Sequence, residues 1–579
     1  MQNRREFIGS GLGLLSALAL KRKAFSGGPL IGDSRGGDCI DTGAASYDAS
    51  CPMQQIRNVP TQLVDGIPFA SWYTGDDFPG LHHPMPNPNC FDGDLPPISE
   101  EIDVAVVGGG ISGLTSAYLL REHNPVIFEM HNQFGGAARG EEWNGVPYSL
   151  GNAYVITPDP GTFLQDIYQE LGMNEVVRVD SNNAPVELEG EILEGFFDGQ
   201  GVDFNTAIAI AKYRKVVTQM ANIDYPVIPL IGGSEDDWVY ELDQKTLKQD
   251  IQDRMNMPIP DVLAAAIQSY CYSSFAAGWE EISAAGGWNF LAAEEFDRWV
   301  CPGGNSYMAR KMWEALKQLD DNVPASCRPY HIRGGCRVVD VRPIAGPGNK
   351  SQVTWVDTDG KCRALLAKKV VMACPKFLCK EVIHLLGNED VAKLNAIESL
   401  EYRGYLVANI LLDAPIKRDF YDIFLLGDGI YPANQSEAED DRFVCDVVDG
   451  NYAAGSLHHG MSNVLTLYWP LPFDFGRWTL LHEANWNNYS RMLAPQVKSI
   501  LKLLDIPDTK VKQVRMTRWG HAMPIHAQGL IANGTCEEVR RPTMNDRLFF
   551  VQQDNWALPA VENCLLDAKT YTDIIRDQL

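Results

Sequence analysis

The chain has 579 residues, too many for one simple core, so two or three lobes are expected. Its 45% apolar content is ordinary for a globular protein. Acidic residues outnumber Lys and Arg by 75 to 49; the resulting charge of −26 argues against nucleic acid or another polyanion as a partner and is compatible with a cationic substrate.

Asn3-Arg4-Arg5-Glu6-Phe7-Ile8 precedes an apolar run to Leu20 and then Lys21-Arg22-Lys23. This resembles a bacterial twin-arginine signal, with cleavage expected after Ser26. The run is too short to span a bilayer, so no integral membrane segment is expected after processing. The resemblance implies the twin-arginine export machinery as a partner and a periplasmic location. Residues 27–100, rich in Gly, Pro, Asp and Asn, are expected to form an extended arm or irregular cap. Its aromatics Phe69, Trp72, Tyr73 and Phe78 suggest packing on the body. Thirteen cysteines occur without a C-x-x-C. A disulfide among Cys39, Cys51 and Cys90 fits an exported protein. No spacing points to a metal: His82-His83 and His458-His459 are adjacent pairs, not ligands on one helix face.

Ile102–Val107 has the pattern of a buried parallel strand. It leads into Gly108-x-Gly110-x-x-Gly113, followed by apolar positions at helical spacing from Ser112 to Arg121. A second strand, 126–128, ends in Glu129. This order is that of a dinucleotide-binding strand–turn–helix unit, with Ile111 and Ser112 in the helix N-terminus facing a pyrophosphate. Glu129 is placed to bind an adenosine ribose. Gly135, Gly136 and Arg139 follow.

In this order the residues resemble the FAD-binding start of the flavin amine oxidase and phytoene desaturase superfamily. The resemblance implies an α/β fold: a doubly wound, Rossmann-like FAD domain built from discontinuous segments, and an α+β substrate domain. It assigns 101–160, 301–400 and 513–579 to the FAD domain, and 161–300 and 401–512 to the substrate domain. Later stretches are similar to the same superfamily. They include the 301–304 turn before a helix, the strand at 337–341, the hairpin around Asp359-Gly360, and 369–375. Arg518, Trp519, Ala522 and Pro524 match a recurring late segment. A closing strand at 547–551, Asp554 and a helix beginning near Pro559 complete the similarity. The resemblance implies that Val338 holds the adenine edge, and that Asp554 and Val561 face the flavin and its ribityl-phosphate. Loading FAD before export suits a pathway that carries folded proteins.

Three positions depart from the superfamily. No lysine occurs in the strand 405–413, Gln552-Gln553 stands where Ala-Gly is usual, and Ala560 stands where monoamine oxidases place a tyrosine. Tyr154, Trp519, His521, His526 and Trp556 are the candidates for the substrate side, as aromatic walls or as a base. The expected function is an exported FAD-dependent oxidoreductase that takes a hydride from an amine or amino-acid-like small molecule. The alternatives are a desaturase- or isomerase-like flavoprotein with an apolar substrate, or a degenerate flavoprotein with a binding role. A homodimer is compatible with either.

Overall fold

The computed structural model describes residues 50–74, 95–181, 184–234, 236–325, 328–345, 348–440, 443–454 and 461–579. The signal segment, Cys39, Cys90, Phe78 and both histidine pairs lie outside the described residues.

The first of the two large sheets is built on strand Ile98–Val107, which begins four residues earlier than its apolar pattern indicates. Its inner end, Val104 to Val107, is buried because parallel strands flank it: Val126–Phe128 on one side and Cys362–Met372 on the other. Ile332–Arg333 extends the sheet beyond Val126–Phe128. Across the sheet, the inner end of Cys362–Met372 pairs with Leu548–Phe550, and its outer end with Ser351–Val356 of an antiparallel hairpin. Helix Ile111–Leu119 returns over the sheet and packs against helices Ser306–Asp321 and Val561–Gln578. Leu114, Met308, Met312 and Leu565 fill this seam and are fully buried. Burying each such side chain contributes about 1.5–3 kcal/mol.

The second sheet has nine strands, and Tyr402–Asp413 is central to it. Leu406, Ala408, Ile410 and Leu412 point to one side, into a core shared with helix Asn485–Leu503. Tyr405, Val407 and Leu411 point to the other, where they meet Tyr148, Leu150 and Trp519. Both faces of this strand are covered, so it reads as a continuous apolar run. The side bearing Tyr405 faces the first lobe.

The arm is more regular than its composition indicates. Met53–Gln55 pairs with Gly140–Trp143, and Ile67–Ala70 adds to the second sheet beside Val511–Pro524. Thr61–Val64 then forms that sheet's edge. Phe69 and Tyr73 are buried, whereas Trp72 is 45% exposed. Short strands separated by Gly and Pro escape a periodicity criterion because they are only three or four residues long.

Candidate flavin and substrate site

The first lobe supplies a cradle made from two glycine turns. Gly113 is forced by packing: a Cβ there would lie 1.8 Å from the carbonyl oxygen of Gly108. Gly110 is different. A Cβ at this position would approach only Gly136 Cα, at 3.8 Å, so the space above it is open. Gly135 N donates to Gly109 O at 2.8 Å, which ties the second turn to the first. The N-terminus of helix Ile111–Leu119 opens on this floor, its first N–H groups unpaired within the helix and suited to an anion. Ala137, on the second turn, is exposed beside it.

Glu129 closes the adenosine end. Its Oε2 accepts from Gly109 N at 2.8 Å and its Oε1 from His131 N at 2.9 Å. Cys336 N donates to Glu129 O at 2.9 Å, so Val338, two residues further, lies on the same flank and is buried. Arg139 is buried and turns back on its own loop, with Nε donating to Gly136 O at 3.1 Å. Its guanidinium lies 5.1 Å from the Trp519 ring. It braces the second turn in this way. These residues fit a bound dinucleotide: there is open space where the backbone must approach phosphate, a helix N-terminus, and an acidic group at the ribose position.

The C-terminal candidates are placed differently from the expectation. Asp554 is fully buried and ties together two other segments: its Oδ2 accepts from Lys376 N at 2.8 Å and from the Tyr402 hydroxyl at 2.7 Å. Burial holds its carboxyl above the usual range. Asp554 is therefore a staple between segments and does not line the cradle. Trp556 is also interior, with Nε1 donating to Asp567 Oδ1 at 3.3 Å. His526 packs behind it; its Nδ1 lies 2.8 Å from Trp556 O and its Nε2 3.3 Å from Asp243 Oδ1. With no exposed surface, His526 and Trp556 are core residues, not substrate-side groups. Val561 opens the last helix and is nearly buried, while Gln553 reaches across to donate to Ala522 O at 3.0 Å.

The remaining candidates stay near the junction of the lobes. Trp519 Nε1 donates to Leu150 O at 2.8 Å. His521 stacks on Phe377 at 3.7 Å, and its Nε2 lies 2.7 Å from Arg477 Nη1. Tyr154 meets Tyr421 edge to face, with ring centroids 6.0 Å apart.

Beside Tyr154 lies a cluster that sequence reasoning missed. Arg298 is buried, with Nη2 donating to Asp180 Oδ2 at 2.5 Å and Nη1 to Asp422 Oδ2 at 3.1 Å. Glu294 Oε2 lies 3.3 Å from Nη1, and Glu294 Oε1 accepts from the Tyr270 hydroxyl at 3.0 Å. Asp446 faces the same sheet surface as Tyr468, its cross-strand partner. Its Oδ1 is buried and has no hydrogen-bond partner, and the same holds for the Tyr421 hydroxyl. Burial pushes Asp422 up to about 6 despite Arg298 beside it. Burial and the neighbouring Asp422 raise Asp446 well above the carboxylate range. The available signal was an acidic residue inside each of two apolar strands, at Asp422 in 420–426 and Asp446 in 444–448.

This cluster reaches the cradle through one side chain. The Tyr468 hydroxyl donates to Gly151 O at 2.6 Å. Gly151 lies against the second glycine turn so closely that a Cβ on it would sit 2.3 Å from Ala137 O. A cleft in the second lobe, which shares Glu294 and Tyr270 with this cluster, is lined by Val186, Phe197, Val217, Ile267 and Phe424.

Comparisons with known proteins agree with this architecture. Residues 106–171 match the NAD(P)-binding Rossmann-like domain family. The oxidoreductase PigB of Serratia sp. is 26% identical over 127 residues, which is 21% of this chain and 19% of that protein. The chain thus matches about a fifth of that relative's length. A putrescine oxidase structure bound to putrescine superposes with a TM-score of 0.58 at 16% identity, covering 82% of this chain and 99% of that one. A fatty acid isomerase from P. acnes superposes with a TM-score of 0.56 at 14% identity, covering 83% and 99%. The chain therefore shares the overall fold of these solved structures, with a dinucleotide-binding Rossmann-like unit at residues 106–171.

Proposed function

We propose that this protein is an FAD-dependent oxidoreductase that oxidises a cationic amine. FAD, when bound, would supply the two-electron acceptor for a hydride from the carbon next to nitrogen, once that nitrogen has lost its proton to water. Gly108 to Gly113, Gly135 to Arg139, Glu129 and Val338 would hold it. The observation that carries the amine reading is the carboxylate surplus at Arg298. One guanidinium is set among Asp180, Asp422, Glu294 and Asp446, which leaves buried acceptor capacity for a second cation. An ammonium fits there, because it donates to Asp446 Oδ1 once that carboxyl has given up its proton, beside the Tyr154 and Tyr421 rings over which Arg298 already lies.

The superposed putrescine oxidase and the net charge of −26 support this reading. Anaerobic mixing with putrescine, spermidine and cyclohexylamine tests it: bleaching of the flavin band by at least one amine is expected. Purified protein without flavin absorbance, and with no FAD uptake on refolding, would overturn it. The apolar cleft beside Phe424 favours a second reading, an isomerase or desaturase acting on a long apolar chain. Conversion of an unsaturated fatty acid, with no bleaching by amines, would establish that alternative.

We further propose export to the periplasm by the twin-arginine pathway. Cys51 and Cys362 each belong to a disulfide, which suits an oxidising compartment. Replacing Arg4 and Arg5 together with Lys is expected to retain the protein in the cytoplasm, measured by fractionation; unchanged export would remove the proposal.

A further inference from the structure

Strand Cys362–Met372 runs into the underside of the dinucleotide cradle. A Cβ on Gly108 would lie 2.9 Å from the backbone of Ala373 and of Cys374. The chain then turns at Pro375 into helix Lys376–Val382. The turn brings Cys374 Sγ to 3.6 Å from Cys379 Sγ, and Cys379 Sγ also lies 3.5 Å from Cys374 O. Cys379 is fully buried, whereas Cys374 is partly open to solvent. Between them in sequence, Lys376 is fully buried, and its Nζ has no hydrogen-bond partner. A cation so placed favours a thiolate. Burial alone would raise the Cys379 thiol, but the Cys374 hydrogen bond and the Lys376 charge bring it below its ordinary value.

We propose that Cys374 and Cys379 form a thiol–disulfide pair that is oxidised by low-molecular-weight disulfides. The Cys379 hydrogen bond and burial raise the Cys374 thiol, so Cys374 passes its proton to the Cys379 thiolate beside it, attacks one sulfur of the small disulfide, and Cys379 then releases that proton to water. A mixed disulfide forms, and one small thiolate leaves. The Cys379 thiolate then attacks Cys374 Sγ and expels the second small thiolate. Two protein thiols are oxidised, one small disulfide is reduced to two thiols, and protons balance through water. An S–S bond is about 2.05 Å long, so the two sulfurs close by side-chain rotation. The product ties the strand end that supports Gly108 to the following helix. This site stands whether or not FAD binds.

Trypsin reads the pair directly, because Lys376 lies between the two cysteines. Full-length protein is treated with oxidised glutathione without denaturant, blocked with N-ethylmaleimide and digested. Residues 370–376 and 377–380 are expected as one linked species, two hydrogens lighter than the sum of the separate peptides, and dithiothreitol should part them. Recovery of the two peptides separately, with each cysteine alkylated or separately glutathionylated, would overturn the proposal. The variant Cys379→Ser should stop at a stable mixed disulfide on Cys374. Folded variant that carries no glutathione at Cys374 would equally count against it.

Discussion

A single methyl group separates two kinds of glycine in the cradle. At Gly113 it would collide with Gly108 O at 1.8 Å, so Gly113→Ala must move helix Ile111–Leu119 off its strand. Such overpacking costs about 1–3 kcal/mol, and a lowered melting temperature of the protein without cofactor is expected. At Gly110 the methyl group meets only open space, so Gly110→Ala should leave that melting temperature unchanged and weaken FAD binding, measured by flavin retention on dilution. Equal effects of the two variants on stability would contradict the assigned roles. These glycines were legible in sequence because their spacing reflects local geometry, one strand, one turn and one helix. Asp554, His526 and Trp556 were not, although they follow a recognisable order. What Asp554 and His526 face depends on segments more than 100 residues away, Tyr402 and Lys376 for Asp554 and Asp243 for His526.

Strand Val511–Pro524 joins the lobes through one ion pair. Arg515 Nε and Nη2 each lie 3.0 Å from a Glu141 oxygen, and Tyr148 donates to Glu141 Oε2 at 2.6 Å. Both charges are buried, so Arg515→Ala leaves a carboxylate without its counter-ion, and a loss of about 3–5 kcal/mol is expected by chemical denaturation. The strands at Asp422 and Asp446 predict a pH effect of defined sign. Asp446 is raised in the fold, so the folded chain keeps a proton that the unfolded chain has released. Its contribution to stability is full below the unfolded pKa and falls as pH rises through the folded one. Asn cannot titrate, so Asp446→Asn should gain in melting temperature relative to wild type as pH rises from 5 to 8. The same variant should raise KM for an amine about 10–100-fold, the equivalent of one hydrogen bond to a charged group at about 1.5–3 kcal/mol. A constant difference in melting temperature across that range would contradict the titration. The strands themselves were visible as apolar runs; the grouping of their acidic members around Arg298 was not, because four separate chain segments converge there.

Taken whole, the molecule is closed from both ends of its described chain. Residues 61–70 cover the edge beside Val511–Pro524, and Leu548–Phe550 with helix Val561–Gln578 complete the first sheet and its packing. Deleting residues 50–74 exposes that edge, and aggregation is expected by light scattering; a monodisperse truncated protein would contradict this. The late position of Leu548–Phe550 also has a consequence for synthesis. Strand Ile98–Val107 emerges from the ribosome early, and Cys362–Met372 well after it, yet the sheet both belong to lacks a strand until residue 550 has cleared the tunnel. The N-terminal glycine turns therefore wait through most of translation without the helix that packs behind them. Nascent chains arrested before Leu548 should hold no flavin, whereas released full-length chains should acquire it within one folding step.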